Sequence, residues 1–563
     1  MTTQAFQSPG VSIIELPTTS LSVQGSATAV PVFTGRFFNL DGTPVSGGEC
    51  IRMNNWLEFS NLFSQGPCEV SAPFLDKSPS GGSWITNATA LSCKAGEHLL
   101  YSVHVADGYA TQFPDSDGTG LMSASLRGSA VINTDFMADA YYFTDKNPNP
   151  KSLRLSSGTW SSLDRLEKDT RIVYLKIPSV PNGTYTKSLS IDFASQGYGN
   201  HSEATGFIYN SAPVYPSAYS LFSVRSYFQN GGGPCYILSL SDKTQLDALP
   251  AAIEKCPDST LLVCAETEAG LTELDCSKDD VYTALSSLLT PAKGYFLIAD
   301  ADSPGVAPPA LAGSDHAAVY YPDVVTPLKR SRPTDNLITI SDYPSGAITL
   351  EALSSSNIEQ YQMVSTIVDQ YFAKQDYLIL PPSALIAGAY ARNDRERGVW
   401  KAPANIPLKG VRELETVVSE VAQGPLNQQG INVIRWFSDR GPVVYGARTL
   451  AVESEEWRYI PVRRLFNMAK RDIQKSLHTL VFEPNNQATW ERARSAIYNY
   501  LAKLWRDGAL LGNSEKEAFF VQVGLGTTIT QTNIDNGQMI VTVGMAVVRP
   551  AEFITLQFTQ SVQ

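Results

Sequence analysis

The sequence predicts a multidomain α+β and α/β protein that carries an inserted antiparallel β domain and an extended strand arm at each terminus. Its 563 residues correspond to about three to four domains at roughly 150 residues each. Strand-like and helix-like runs alternate along 215–380, which is typical of an α/β layer domain. Between 67 and 210 the chain is instead rich in small polar residues and tyrosine, and its alternating runs are bounded by turn signals, which indicates an antiparallel β domain.

The N-terminal arm is predicted for residues 1–20. Pro9 and Gly10 interrupt the chain, a short β-branched run follows at 11–14, and Pro17 ends it. A strand with no partner nearby in the sequence often pairs with another element or with another subunit. From the residues alone, a linker to another subunit and an ordinary first strand of the chain's own sheet both remain open.

The rest of the chain divides into three predicted domains. Segments 21–66 and 211–380 form an α/β middle domain, 67–210 is inserted into it, and 381–563 form the C-terminal domain. Apolar periodicity in the C-terminal domain predicts three helices followed by a β-rich end. The helices are near Val411–Val421, Tyr459–Leu477 and Gln487–Trp505, and the strands are Phe519–Val523, Met539–Val548 and Phe553–Phe558.

Composition and charge exclude several classes of function. The formal net charge is −12 and the isoelectric point is near 5.1, which disfavours a general nucleic-acid binder. No apolar run reaches the about 18 residues of a membrane span, and the N-terminal residues lack the basic and apolar regions of a signal peptide. Charged residues make up 17% of the chain, against a usual ~25%, so much of the surface is uncharged and suits protein–protein contact.

Cysteine usage and catalytic motifs point away from an enzyme. The seven cysteines are scattered without a C-x-x-C pair, so reduced thiols are expected, although one pair within the first hundred residues is left open. The chain contains no G-x-x-x-x-G-K-[ST] loop, no G-x-S-x-G elbow and no H-E-x-x-H helix, and its five histidines are dispersed. Gly231–Gly233 precede Pro234 and a strand, which predicts a tight connection rather than a phosphate site. We therefore expect no catalytic, cofactor-binding or metal-binding residues.

Two clusters of charge remain as candidate interaction sites. Residues 458–475 carry six basic side chains against one acid, Asp472, around an apolar helical stripe. A solvated helix surface and a docking face for an acidic partner are both open for this cluster. The second cluster alternates in sign, and its arginines would keep the carboxylates ionised, which suits a salt-bridge network or contact with a neighbouring subunit better than acid–base catalysis. Its members are Arg392, Asp394, Arg395, Glu396 and Arg397.

Seven longer motifs follow one another in a fixed order. They are SPGVSIIEL (8–16), VRSYFQNGGGPCYIL (224–238), HAAVYYPDV (316–324), PPSALIAGAYARNDRERGVWKAPAN (381–405), INVIRWFSDRGPVVYGARTL (431–450), EEWRYIPVRRLFNMAKRDI (455–473) and VFEPNNQATWERARSAIYNYLAKLWRDGAL (481–510). In this order they resemble the contractile tail sheath proteins of myophage tails, R-type pyocins, type VI secretion systems and extracellular injection particles. The resemblance is dense over 381–563, good over 215–380, limited within 1–66, and does not include 67–210.

The resemblance implies a tail-sheath fold and a structural role. A sheath subunit of this family stacks in hexameric rings around an inner tube, and contraction of the sheath drives the tube through a target envelope. The implied partners are further copies of the chain, the inner tube protein, baseplate and tail-terminator or cap proteins, and sheath paralogues. The chain would fold and assemble in the bacterial cytoplasm and become part of a phage tail or of a released tail-like particle, with the insertion 67–210 facing outward.

The resemblance also implies three sets of site residues. The family's terminal arms add strands to sheets of adjacent subunits, and the matching residues here are Val11, Ile13, Ile14, Phe553, Ile554, Leu556 and Phe558. One C-terminal helix of the family contacts the tube, and 487–507 matches it. The first candidates for that contact are Lys503 and Arg506, followed by Arg492 and Arg494. The alternating charge cluster becomes a candidate contact between subunits.

Two alternatives from other classes remain at this point. The β insertion could be a decoration module that binds a surface or a glycan through its aromatic residues, although burial in a core is their more common role. These aromatics are Tyr101, Tyr109, Tyr141, Tyr142 and Trp160. An enzyme is the second alternative, and it lacks a recognisable nucleophile, metal site or cofactor motif.

Overall fold

The computed structural model describes most of the chain outside the two termini. The described ranges are 21–70, 83–86, 98–103, 138–144, 147–155, 170–176, 204–209, 218–301, 307–341 and 346–552. The predicted arm residues lie outside these ranges, so strand addition by either arm stays a prediction. They are Val11, Ile13, Ile14, Phe553, Ile554, Leu556 and Phe558.

Up to residue 209, the described residues form eleven strands and one helix. From 21 to 70 these are β1 (Pro31–Gly35), β2 (Phe38–Asn39), β3 (Cys50–Met53), α1 (Trp56–Ser60), β4 (Phe63–Ser64) and β5 (Cys68–Val70). From 83 to 209 they are β6 (Ser83–Thr86), β7 (His98–Val103), β8 (Ala138–Thr144), β9 (Asn147–Leu155), β10 (Thr170–Lys176) and β11 (Ala204–Tyr209). These last six strands form a sheet of their own in the order β6-β11-β7-β10-β8-β9, with antiparallel pairing throughout.

Residues 218–445 alternate between strands and helices. From 218 to 341 the elements are α2 (Ser220–Gln229), β12 (Cys235–Ser239), α3 (Leu249–Glu254), β13 (Leu261–Cys264), α4 (Glu268–Thr272), α5 (Lys278–Leu285), β14 (Phe296–Asp300), β15 (Ala317–Tyr321), β16 (Val324–Val325) and β17 (Ile338–Ile340). From 346 to 445 they are β18 (Ile348–Thr349), α6 (Leu350–Ser356), α7 (Ile358–Ala373), β19 (Ile379–Leu380), α8 (Ser383–Arg397), β20 (Ile406–Pro407), β21 (Glu413–Leu414), α9 (Glu420–Gln428), β22 (Ile431–Phe437) and β23 (Gly441–Tyr445).

The C-terminal region is mainly helical and ends in a small sheet. Its elements are α10 (Ile460–Leu477), α11 (Gln487–Arg506), α12 (Glu515–Ala518), β24 (Phe519–Gln522), α13 (Gln531–Asp535) and β25 (Thr542–Met545). Short 3₁₀ turns are Lys243–Ala248, Ser286–Leu288, Ser314–His316, Asp335–Leu337 and His478–Leu480. Among the helices in the described ranges, none has the apolar length that a transmembrane span requires.

A nine-stranded sheet organises the body in the order β20-β23-β22-β15-β14-β13-β1-β12-β3. Its six inner strands, from β22 to β12, pair in parallel, and antiparallel strands close both edges. Strand β13 has the sequence LLVC and strand β14 the sequence FLIAD, and both are buried along their whole length. Such continuous burial is expected for parallel strands covered on both faces.

Helices cover the two faces of this sheet with separate hydrophobic clusters. Helices α2 and α8 bury one face through residues such as Phe222, Tyr227 and Leu385. Helices α3 and α5 bury the other face through residues such as Ile253 and Leu285. Gly388 lets α8 approach α2 closely, because a Cβ atom there would lie 2.4 Å from the Tyr227 carbonyl oxygen.

Two further units are built from distant parts of the chain. Strand β5 pairs in parallel with β17, so Cys68–Val70 shares a small sheet and core with residues 338–368. In the C-terminal unit, the apolar faces of α10 and α11 share a core with the β24–β25 pair. The helices predicted at Tyr459–Leu477 and Gln487–Trp505 are confirmed as α10 and α11.

The predicted helix near Val411–Val421 is wrong. Glu413–Leu414 is instead strand β21, which pairs with Val324–Val325, and helix α9 begins only at Glu420, where Ser419 accepts a hydrogen bond from the Ala422 amide. A partner strand almost ninety positions away overrides a local helical tendency, which is a weak preference.

Candidate functional site

Helix α10 is the structural centre of the C-terminal unit. Pro461 stands in its first turn, where a missing amide hydrogen is tolerated, and Val462, Leu465 and Ala469 recur at helical spacing and are buried. This stripe packs in the core that also contains Ile497 of α11. The remaining faces of α10 are free to carry polar side chains.

The basic side chains of α10 bind partners within the chain itself. Arg463 and Arg464 are buried and form ion pairs with Asp315 and Asp394, whereas Lys475 pairs with Asp258 at the surface. Two more cations donate to backbone carbonyls: Lys470 Nζ to Pro291 at 2.6 Å and Arg471 Nη2 to Gly294 at 3.2 Å. Both interpretations from the sequence are therefore wrong for the buried Arg463 and Arg464, which dock α10 onto the α/β body. Lys470 and Lys475 are exposed, as a solvated helix surface predicts.

Asp394, one of the predicted subunit-contact residues, faces the interior. Its side chain is 5% exposed, and Arg464 opposite is 3% exposed. Thr28 donates its hydroxyl to Asp394 Oδ2 at 2.6 Å, and Arg464 Nη2 donates to the Thr28 carbonyl at 3.1 Å. The guanidinium also lies 4.6 Å from the ring centroid of Tyr390. Asp394 thus joins α8, α10 and the chain segment before β1.

The other members of the predicted charge cluster differ in their surroundings. Arg392 donates to the Pro407 carbonyl at 2.6 Å, and Arg395 donates to the Gly231 carbonyl at 3.3 Å. Glu396 and Arg397 are exposed and have no hydrogen-bond or ion-pair partner among the described residues. Only the outer part of this cluster is accessible to a neighbour.

Asp472 joins three elements through one carboxylate. The backbone amide of Ser26 donates to Oδ1 at 3.0 Å, and the Ser26 hydroxyl donates to the same atom. The Tyr500 hydroxyl of α11 donates to Oδ2 at 2.7 Å. The Asp472 residue is 1% exposed, and burial beside this carboxylate raises the pKa of the Tyr500 hydroxyl, so the tyrosine remains a donor.

Glu552 holds the segment that leads to the C-terminus against the rest of the chain through several hydrogen bonds. Arg448 donates from Nε at 3.1 Å and from Nη2 at 2.8 Å to Oε2, and the Tyr459 hydroxyl donates to the same oxygen at 3.0 Å. Asn427 Nδ2 donates to Oε1 at 2.9 Å. Burial alone would raise the pKa of Glu552, but these hydrogen bonds and the Arg448 charge lower it.

The four predicted tube-contact residues of α11 fall into two pairs. Arg492 is ion-paired with Glu483 at 3.5 Å, and Arg494 is ion-paired with Glu491 at 3.1 Å. Lys503 and Arg506 lie in the last turn of α11, and both are exposed. Neither side chain has a hydrogen-bond or ion-pair partner in the part of the chain that the structure describes. Lys503 and Arg506 are therefore available to pair with an acidic group of another protein, whereas Arg492 and Arg494 already have acidic partners.

Proteins of the α/β class commonly bind ligands at the carboxyl edge of their parallel strands. In this chain, the acidic side chains at that edge accept hydrogen bonds from residues at the starts of helices. Asp300 accepts from the Ser383 amide at 2.8 Å, from the Ser383 hydroxyl at 2.9 Å and from Lys278 Nζ at 3.0 Å, which anchors the start of α8. Glu266, fully buried, accepts from the Tyr219 amide at 2.7 Å and so caps α2. Burial raises the pKa of Glu266.

Cysteine placement differs from the sequence-based expectation of reduced thiols. Cys50 of β3 and Cys256 form a disulfide with Cα atoms 6.1 Å apart, and 206 positions separate them. A pairing within the first hundred residues is therefore wrong for Cys50. Cys235, Cys264 and Cys276 are buried thiols, and burial raises the pKa of Cys264 to about 12. Among the described residues, no cluster of histidine, cysteine and acidic side chains is placed to bind a metal.

Sequence reasoning missed the residues at which the terminal segments meet the body. They are Ser26, Thr28, Arg448, Asp472, Tyr500 and Glu552. One signal was present, because Asp472 is the single acid among the six basic residues of 458–475. A single carboxylate on such a basic helix is better explained by a hydrogen-bond donor within the chain than by solvent exposure.

The family models match two consecutive parts of the chain. The description "phage tail sheath protein central domain" applies to 324–450, and "phage tail sheath C-terminal domain" applies to 452–561. Tail sheath proteins of Vibrio phage KVP40 and Enterobacteria phage T4 are each 29% identical over 182 residues, which is 32% of this chain. That match spans 26% and 27% of the length of those two phage proteins.

Solved structures match along the whole chain. A chain of the anti-feeding prophage (AFP) helical sheath in its contracted state is 33% identical, with 99% of this chain and 100% of that chain covered and a TM-score of 0.55. A chain of the PVC sheath complex in the contracted state, from an extracellular contractile injection system, is 30% identical, with 100% and 99% covered and a TM-score of 0.54. A chain of the AFP baseplate is 32% identical, with 99% and 100% covered and a TM-score of 0.55.

These matches define a class of phage-tail-like structural proteins with mixed α/β content. The chain belongs to the contractile tail sheath protein family, as its motifs indicated. Its relatives are components of phage tails and of extracellular contractile injection systems.

Proposed function

We propose that this chain is the subunit of a contractile sheath that stacks in hexameric rings around an inner tube. Contraction of the sheath then drives the tube through a target envelope. One observation carries the proposal: the chain matches the AFP sheath, solved in its contracted state, along 99% of its own length and 100% of that chain. The same similarity favours a sheath subunit over a surface-binding decoration module, and it supports a structural rather than an enzymatic role.

The energy for contraction would be stored at assembly. Subunits would first assemble in an extended, metastable ring stack, and a baseplate signal would release the first ring. A ligand-free transition of this kind requires that contacts between subunits favour the compact state. The absence of a G-x-x-x-x-G-K-[ST] loop in the sequence agrees with a process that consumes no nucleotide through that motif.

Strand addition by the terminal arms would keep neighbouring subunits connected during the movement. The pair β24–β25 supports this proposal, because within the described residues it is a sheet of only two strands, continued after β25 by a single bridge between Val547 and Leu510. Strands from neighbouring copies would extend this sheet by adding to its edges. The entering strands would carry Val11, Ile13 and Ile14 or Phe553, Ile554, Leu556 and Phe558.

The tube contact is assigned to the exposed last turn of α11. Lys503 and Arg506 are available there for a tube surface of opposite charge, whereas Arg492 and Arg494 already have acidic partners. An exposed ion pair contributes only ~0–1 kcal/mol, so each contact would be weak. Many weak contacts would hold the tube in the extended sheath and still release it on contraction.

The remaining assignments concern the outer surface and other partners. Glu396 and Arg397, with Arg395, are the accessible part of the charge cluster and the candidates for contact between subunits. The region 67–210 would face outward, because the inner side accommodates the tube. Baseplate, terminator and paralogous sheath proteins would meet the ends of the stack, and assembly would take place in the bacterial cytoplasm.

Negative-stain electron microscopy tests the proposal most directly. Three samples are needed: the purified chain alone, the chain with the tube protein from the same locus, and the chain with tube and baseplate proteins. Hollow cylinders or stacked hexameric rings in any of them are the expected result. A chain that stays monomeric in all three samples contradicts the proposed function.

A further inference from the structure

Helix α10 contacts the segments that lead to both chain termini. Along its C-terminal half, the Ser476 hydroxyl donates to the Ser22 carbonyl at 3.4 Å, and Asp472 accepts from the amide and hydroxyl of Ser26. At its N-terminal end, the N-cap residue Tyr459 donates its hydroxyl to Glu552 at 3.0 Å. Both terminal segments therefore contact this helix, one along its C-terminal half and one at its N-cap.

The two contact points are far apart along α10. Thirteen positions separate Tyr459 from Asp472, which corresponds to about 20 Å of helix at the standard rise per residue. Between them, Arg463 and Arg464 pair with Asp315 and Asp394 of the α/β body. The helix is thus held to the body in its middle and to one terminal segment towards each end.

Both terminal contacts have the character of anchors rather than incidental surface contacts. Asp472 is 1% exposed, and its two oxygens accept three hydrogen bonds. Glu552 accepts four hydrogen bonds, one from Tyr459 at the N-cap of α10 and three from Arg448 and Asn427 just outside the helix. Its side chain is 20% exposed beside an Arg448 side chain that is 12% exposed. Hydrogen bonds to an ionised carboxylate are about twice as strong as neutral ones, and partial burial strengthens them further.

We propose that α10 is the strut that carries load between the two terminal arms, and that Asp472 and Glu552 are the positioning residues that fix the arms to it. The proposal rests on the proposed function, in which the arms bind neighbouring copies. A pull from one neighbour would enter α10 at Asp472 or Glu552, pass along the helix and leave through the other anchor. The body, attached through Arg463 and Arg464, would then rotate with the helix.

Amide hydrogen exchange of the full-length subunit tests the anchors before any assembly. Asp472→Asn removes the charge that binds Ser26, and Tyr500→Phe is the matched control, because it removes the bond between α11 and the same carboxylate while leaving Ser26 bound. We expect exchange over 22–28 to be at least tenfold faster in Asp472→Asn than in Tyr500→Phe. Ser26→Ala is a milder variant that leaves both helices intact. Equal exchange over 22–28 in all three variants and the unmodified chain overturns the N-terminal anchor.

The same design applies to the C-terminal anchor. Glu552→Gln removes the charge facing Arg448, and Glu455→Gln is the control, because Glu455 is exposed and has no hydrogen-bond or ion-pair partner within the described residues. Exchange over 546–552 should be faster by a similar factor in Glu552→Gln alone. Unchanged exchange in that variant overturns the C-terminal anchor.

The load-carrying role is tested on assembled cylinders. Cylinders of the double variant Asp472→Asn/Glu552→Gln should form but dissociate at lower urea concentration than those of Tyr500→Phe/Glu455→Gln. Dissociation at the same urea concentration overturns the strut. If the unmodified chain forms no cylinders even with tube and baseplate proteins, the proposed function and the strut fail together, whereas the exchange measurements still decide whether the two anchors exist.

Discussion

Arg464 and Asp394 form a two-pronged ion pair between α10 and α8. Nη1 lies 3.0 Å from Oδ1, and Nη2 lies 2.5 Å from Oδ2. Both side chains are almost fully buried, and Thr28 completes the hydrogen bonding of the pair. These buried charges therefore connect the C-terminal unit to the body and to the segment before β1, and they are not available to a partner protein.

The buried pair should contribute far more to stability than an exposed pair on the same helix. Arg464→Met leaves Asp394 buried without its cation, and breaking such a pair typically lowers the free energy of unfolding by about 3–5 kcal/mol. Lys475→Met breaks the pair with Asp258, in which the two side chains are 68% and 54% exposed, and should change it by about 0–1 kcal/mol. Urea unfolding of the monomeric subunit measures both. Equal losses would contradict the assignment of Arg464.

Charge reversal on α11 should separate tube binding from self-assembly. Lys503→Glu/Arg506→Glu removes the two available cations of the last turn and should strongly reduce co-assembly with the tube protein. Arg492→Glu/Arg494→Glu alters cations that are already paired and should reduce it less. Cosedimentation with purified tubes measures the effect, and empty-sheath formation serves as the control. Unchanged cosedimentation of the first variant would refute the tube assignment of this turn.

Removal of either arm should abolish assembly without unfolding the subunit. A chain that lacks residues 1–16, and a chain truncated before Phe553, lose the proposed strands but keep the described core. Circular dichroism and thermal unfolding should resemble those of the full chain, while electron microscopy should find no cylinders. Normal cylinders from either truncated chain would refute strand addition by that arm.

The Glu552 anchor should depend on pH. Its pKa is lowered in the folded state, so its contribution to stability is present above the pKa of the unfolded chain, about 4.3, and is lost as the pH falls through the lower folded pKa. The unmodified chain should therefore be more stable than Glu552→Gln at pH 7, and the difference should shrink towards pH 3. Urea midpoints across this range measure it. A difference that stays constant down to pH 3 would contradict the pKa direction.

The backbone of Phe482 is strained, and a substitution at this position should relieve the strain. It is fully exposed at 103% relative accessibility and has a φ of 71°, a left-handed conformation that is unfavourable for a bulky side chain. Asparagine tolerates this conformation, so Phe482→Asn should raise the free energy of unfolding by about 1 kcal/mol. Val481→Asn, at the neighbouring exposed position with φ −64°, is the control and should have little effect. Identical unfolding curves for Phe482→Asn and the unmodified chain would contradict the strain.

Local pattern was sufficient where an element is defined by its own residues. The stripes of α10 and α11 predicted both helices nearly to their ends, because their apolar residues recur every three to four positions. The helix predicted near Val411–Val421 is wrong because the structure there depends on a distant partner: Glu413–Leu414 forms a strand beside Val324–Val325. The disulfide partner of Cys50 was missed in the same way, because Cys256 is 206 positions away.

Residue patterns alone predicted the family, the alternation of strands and helices in the body, and the position of the C-terminal helices. Which charges are free became clear only when the folded chain brought distant residues together. Both α10 and α11 carry several Lys and Arg residues, yet α10 forms buried ion pairs and the last turn of α11 presents exposed cations. An ion pair needs its partner within a few ångströms, and the partners here are as distant in sequence as Arg463 and Asp315, 148 positions apart.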